Sequence, residues 1–236
     1  EEEEEEEDAE ERRAEAEGLF KEAEAACNAG NMPLAMKLYS SCSKLYPELS
    51  LAHVSRAMLL RAQGNLPEAR KAFEKAISMN PQDPDALCGY GLLLRSVNEH
   101  DKAEVMYKRA LEANPQHANT LCSYGALLHT LRKQYKDAEK YYRAALRADE
   151  SHVDGICNYA ALLHVIYKDR KGAKELYKAG LEKNPEHVGI LYNYSAFLEE
   201  EDPRDPAAAA MYQKALKQMK AQGGKKVANN TKPRKK

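Results

Sequence analysis

Residues 84–115 read PDALCGYGLLLRSVNEHDKAEVMYKRALEANP, and this stretch decides the fold. Leu87, Tyr90, Gly91 and Leu94 fall on one face of a first helix, and Ala103, Tyr107 and Ala110, at offsets of four and three, on one face of a second. Glycine at position 91 leaves room for the paired helix to come close. Asn114-Pro115 closes the pair, because proline cannot continue a helix and biases its predecessor toward extended backbone.

The same pattern returns on both sides of this stretch. Pro47, Pro81 and Pro115 are spaced by 34 residues, Glu150 stands where the next would fall one residue late, and Pro185 follows 35 later. Second-helix trios recur as Ala35, Tyr39, Cys42; Ala69, Phe73, Ala76; Ala138, Tyr142, Ala145; Ala173, Tyr177, Gly180; and Ala208, Tyr212, Ala215. First-helix quartets recur as Leu121, Tyr124, Gly125, Leu128; Ile156, Tyr159, Ala160, Leu163; and Leu191, Tyr194, Ser195, Leu198. Helices are therefore expected to end near Asn80, Asn114 and Asn184, with Gly30 and Gly64 turning the chain between paired helices. No such pair buries its apolar stripe alone, so stability has to come from stacked neighbours. One extra residue separates the helices at 133–136, 168–171 and 202–206, which predicts irregular, mobile turns there.

On these residues the chain resembles the tetratricopeptide-repeat family over most of its length, from about Ala16 to Lys220. The resemblance implies an all-α, right-handed superhelical α-solenoid of about six antiparallel helix pairs. The repeats would occupy 16–49, 50–83, 84–117, 118–152, 153–187 and 188–221, between an acidic segment at 1–15 and a basic tail at 222–236. The chain departs from the family pattern in having no tryptophan. Its first repeat, with Leu19, Glu22, Ala23 and Ala26, is degenerate, and its second carries His53, Arg56, Ala57 and Leu60 at the quartet places.

Charge is balanced overall, 36 lysines and arginines against 37 acidic residues, which disfavours a general affinity for nucleic acid or acidic lipid. The balance hides a polarity: Glu1 to Glu17 is overwhelmingly acidic, while nothing acidic occurs from Ala207 onward. Residues 1–13 are expected as a solvated helix extension or disorder, and Gly223 and Gly224 as the break before a disordered tail. Five cysteines without disulfide-framework spacing fit a reducing intracellular compartment, and no apolar run approaches the length of a membrane helix. A sequence opening at Glu1 inside a glutamate run suggests a processed product or a piece of something longer, so the absence of a targeting segment carries little weight.

No paired CxxC, HExxH, GxSxG or phosphate-cradling glycine loop occurs, so neither catalysis, cofactor nor metal is expected. Cys88, Cys122 and Cys157 occupy equivalent places on successive first helices, but helix axes about 8–10 Å apart keep such places beyond disulfide reach. They read as small soft groups lining a surface, or else as redox-sensitive thiols. His129 and His164 continue a row begun by Arg61 and Arg95 and ended by Glu199. That row is either a solvated helix edge or a positive, titratable border where acidic partner residues would sit.

The family resemblance further implies that first helices line a concave groove. By position that groove would hold Cys88, Leu92 and Arg95; Cys122, Ala126 and His129; Cys157, Ala161 and His164; and Tyr192, Ala196 and Glu199. Asn158 and Asn193 stand where related peptide-binding arrays carry an asparagine ladder for a ligand backbone. The residues of the chaperone-binding carboxylate clamp are missing, since Phe20, Glu24, Ser55, Asp85 and Gly89 hold its places; this argues against Hsp70 or Hsp90 binding. The expectation is a protein–protein scaffold or adaptor that binds a partner peptide, helix or subunit. The alternative is a ribonucleoprotein-assembly factor of the half-a-tetratricopeptide type, helped by the tail residues Lys225, Lys226, Lys232, Arg234, Lys235 and Lys236. Those cations offer nucleic acid only a salt-sensitive, sequence-independent attraction. A third possibility, an array attached to a catalytic domain elsewhere, stays open.

Overall fold

A computed structural model of the chain describes residues 2–221. Among the described residues there are twelve α-helices and no strand, and the chain divides after Pro115 into two compact halves. The N-terminal half holds α1 (Glu2–Asn28), α2 (Met32–Leu45), α3 (Ser50–Gln63), α4 (Leu66–Met79), α5 (Pro84–Ser96) and α6 (His100–Ala113). The C-terminal half holds α7 (Ala118–Leu127), α8 (Tyr135–Ala148), α9 (Val153–Leu162), α10 (Arg170–Lys183), α11 (Val188–Glu201) and α12 (Pro206–Ala221). Each odd-numbered helix packs on the even-numbered one that follows. Neighbouring first helices also touch, α3 with α5 in the first half, and α9 with both α7 and α11 in the second.

The helix boundaries follow from local chemistry. Asp83 caps α5 by accepting from the backbone N–H of Asp85 (2.9 Å) and Ala86 (3.2 Å), with Pro84 at the helix start, where its missing N–H costs nothing. Gly64 ends α3 at φ +84°, in the left-handed region that glycine enters without a Cβ penalty. Asn80, Asn114 and Asn184 leave α4, α6 and α10 in extended conformation ahead of their prolines, as the sequence predicts. The acidic N-terminus continues α1 as helix, and the buried face of α1 begins at Ala16 and runs through Phe20, Ala23 and Ala26.

Paired helices are held by small residues against aromatic rings. A Cβ added at Gly91 would lie 2.6 Å from the buried Tyr107 ring, and one at Gly125 would lie 2.9 Å from that of Tyr142. Gly91→Ala is therefore expected to cost about 1–3 kcal/mol through overpacking, measured as a lower urea midpoint; an unchanged midpoint would mean that Tyr107 yields freely.

The extra residues are handled differently from expectation. Residues 128–132 and 163–167 form single π-helical turns at the ends of α7 and α9, a device that absorbs one inserted residue without breaking the helix. Lys133 (φ +56°) and Lys168 (φ +59°) then terminate the helices, and the N–H groups of Gln134 and Asp169 reach back to the carbonyls of Leu128 and Leu163, each at 3.0 Å. The two turns are regular and equivalent, which corrects the reading of irregular loops. At 202–206 the insertion is held by Asp202 and Asp205, whose carboxylates accept from the backbone N–H of Arg204 (2.9 Å) and Ala207 (2.8 Å).

Candidate partner-binding face

The expected groove residues divide into two groups. Leu92, Arg95, Asn158, Tyr192, Ala196 and Glu199 are half-buried and reach the surface of their first helices. Cys88, Cys122, Cys157, Ala126, Ala161, His129, His164 and Asn193 are buried, so they pack beneath the face instead of forming it. In the C-terminal half the cause is visible. Asn158 on α9 donates its side-chain amide to the Cys122 sulfur at 3.4 Å, and Asn193 on α11 donates to Cys157 at 3.5 Å, so each asparagine roofs the cysteine of the preceding first helix. The amide groups expected to meet a ligand backbone are turned onto sulfur. Ala161, with no exposed surface, spaces helices.

Burial also shapes the chemistry of one of these thiols. The Cys157 thiol is pushed up to about 12 by burial, with the Asp154 carboxylate adding to the effect, so it stays protonated and is a poor nucleophile or metal ligand. Among the described residues no group of three histidine, cysteine, aspartate or glutamate side chains is placed to hold a metal ion.

The row of basic residues splits in the same way. His129 Nδ1 lies 3.4 Å from the Tyr142 hydroxyl, and its ring meets Tyr135 and Tyr142 edge-on. His164 Nε2 lies 3.0 Å from a Glu200 carboxylate oxygen, and its ring meets Tyr177 and Phe197 edge-on. Neither forms a solvated border, which corrects that reading. Both lie inside the π turns, where the residue-to-residue rotation differs from that of the α-helix carrying Arg61 and Arg95. The tail residues Lys225, Lys226, Lys232, Arg234, Lys235 and Lys236 lie outside the described residues.

One repeated feature was missed in the sequence. His152 and His187 cap α9 and α11, each accepting at Nδ1 from the backbone N–H three residues on, Gly155 at 2.9 Å and Ile190 at 3.2 Å. The other ring nitrogens reach Asn119 (2.9 Å) and Asp154 (3.0 Å) on the preceding first helices. One ring thus closes a helix end and ties it to its neighbour. The signal was present, since His117, His152 and His187 follow Asp83 at the repeat interval.

Helical hairpins set side by side, with equivalent residues recurring on each first helix, make this an α-helical repeat protein. The tetratricopeptide-repeat model matches the chain twice, over residues 54–118 and 93–153. Together these matches span residues 54–153, and over that stretch the chain is similar to the tetratricopeptide-repeat family. Solved structures with the same fold include pilF of Pseudomonas aeruginosa, 18% identical over 90% of this chain and 94% of that one, with a TM-score of 0.66. Another is a thermophilic tetratricopeptide-repeat protein, TTC0263 of Thermus thermophilus, 16% identical over 78% of this chain and 98% of that one, with a TM-score of 0.69. YrrB, a tetratricopeptide protein with an unusual peptide-binding site, is 21% identical over 76% of this chain and 91% of its own length, at a TM-score of 0.50. At these identities the likeness is one of fold. No curated protein sequence matches the chain. No described helix is long and apolar enough to cross a membrane.

Proposed function

We propose that the chain is a protein–protein interaction scaffold that holds a peptide, helix or subunit of a partner against its first helices, as part of a larger assembly. The observation that carries this reading is the pair of adjacent first helices α3 and α5, which present matched side chains at the surface. Leu51 and Met58 are exposed on α3, and Leu92 is half-buried on α5 at the place equivalent to Met58. Large apolar groups left open on packed helices are what an amphipathic ligand can cover. The peptide-binding site named for YrrB supports the same use of the fold.

Site-specific photocrosslinking in the native setting tests it. A photoreactive residue at Met58 is expected to capture a protein, whereas one at Val105, more exposed but on the second helix α6, is expected to capture none. Capture from Val105 alone would move the interface to the second helices, and RNA adducts at Met58 would favour the ribonucleoprotein alternative.

A further inference from the structure

Arg61 and Arg95 stand at equivalent places, 34 residues apart, at the ends of the packed helices α3 and α5. Both are half-buried. Three other arginines on this fold are matched by carboxylates, Arg70 by Glu99, Arg143 by Glu139 at 3.0 Å, and Arg170 by Glu200 at 3.3 Å, whereas Arg56, also on α3, has a buried Nε without an acceptor. Among the described residues neither Arg61 nor Arg95 has a carboxylate within ion-pair distance, and the Arg61 Nε is buried with no acceptor. Burial is the largest influence and lowers the guanidinium pKa of Arg61; Tyr107 and Cys88 act against it, and the charge on Arg95 acts with it. A desolvated cation beside a second cation costs free energy that an internal acid would normally offset. At the equivalent places of the C-terminal half the basic groups are His129 and His164, which find their partners inside the fold.

We propose that Arg61 and Arg95 form a carboxylate-recognition site that selects an acidic, amphipathic segment of a partner protein. The proposal rests on the scaffold reading and adds the chemistry of the ligand. Met58 lies three residues before Arg61, and Leu92 three before Arg95, so each first helix offers one apolar group and one guanidinium on neighbouring turns. A helix carrying leucine-like and carboxylate groups one turn apart matches both. Two planar guanidiniums suit bidentate carboxylate contacts. Nucleic acid is disfavoured because acidic residues outnumber basic ones across residues 1–115.

The test uses the full chain and a dye-labelled synthetic amphipathic peptide of leucine and glutamate, with its glutamine isostere and oligouridylate as comparisons, followed by fluorescence anisotropy. The wild-type chain should bind the glutamate peptide about tenfold or more tightly than the glutamine peptide, and R61Q/R95Q should lose that preference while keeping its helical circular dichroism. Should the double variant fail to fold, the wild-type preference must still shrink as salt is raised. Equal affinity for the two peptides, a preference that survives in the folded variant, or a preference indifferent to salt would each overturn the site. So would oligouridylate binding, or self-association, that the same substitutions abolish. Equal binding of both peptides would leave the scaffold reading standing, whereas failure of capture at Met58 would remove that reading whatever the peptides do.

Discussion

Replacing Tyr177 with alanine should destabilise the C-terminal half by about 3–5 kcal/mol, while replacing it with phenylalanine should cost nothing or stabilise slightly. Tyr177 has no exposed surface. Its ring stacks on Tyr194 at 5.3 Å and meets Phe197 at 6.0 Å and His164 at 6.4 Å, so it joins the π turn after α9 to α11 from its place on α10. Truncation removes all of these contacts at once and leaves a cavity among residues on three elements. The hydroxyl is a different matter. It is buried without a hydrogen-bond partner, and desolvation drives its pKa far up, so deleting the oxygen removes an unsatisfied polar group and almost no volume. Urea unfolding followed by circular dichroism checks both variants. A Tyr177→Phe loss as large as that of Tyr177→Ala would show that the hydroxyl contributes through a bound water or another acceptor.

The second large effect is loss of stability in mild acid through His129. Burial pushes the imidazole down from 6.5 to about 4. Between those values the unfolded chain takes up a proton that the folded chain refuses, so stability falls as pH drops through this window. The contribution is fully present above about pH 6.5 and is lost by about pH 4, a fall of about 3 kcal/mol. His53, lowered chiefly by burial, acts in the same direction, so the wild type should lose more than His129 alone accounts for. Carboxylates held below their usual range, such as Glu99 beside Lys102 and Arg70, add their losses at lower pH. His129→Leu isolates the histidine: its stability curve should be flatter than that of the wild type by about 3 kcal/mol between pH 6.5 and 4. Parallel curves would mean that His129 is reached by water and protonates in the folded chain.

The sequence was most legible where one residue type has one physical use. Ala69, Phe73 and Ala76, like Ala103, Tyr107 and Ala110, identify the second helices because no other periodicity accommodates them, and all six are buried. Proline after asparagine places the helix ends for the same reason. The 35-residue spacing revealed that a residue was inserted, and the reading put it in the connections at 133–136 and 168–171 because a π turn leaves no compositional mark; Leu128–Arg132 and Leu163–Tyr167 look like ordinary helix ends. That gap misled the reading of the face. His129 and His164 keep step with Arg61 and Arg95 in sequence, but they lie inside the π turns and are buried. Similarly, Asn158 and Asn193 sit in the register of a ligand-binding ladder, and only the packed helices reveal that their amides cover sulfur. Leu92, Arg95, Tyr192 and Ala196, by contrast, are half-buried.

The central claim is that first helices, and not second helices, receive a partner. Hydrogen–deuterium exchange of the chain alone and with the protein captured at Met58 measures this directly, because bound surfaces slow amide exchange on the elements they cover. New protection concentrated on α3 and α5, with α4 and α6 unchanged, is the predicted result. Protection confined to α4 and α6 would contradict it.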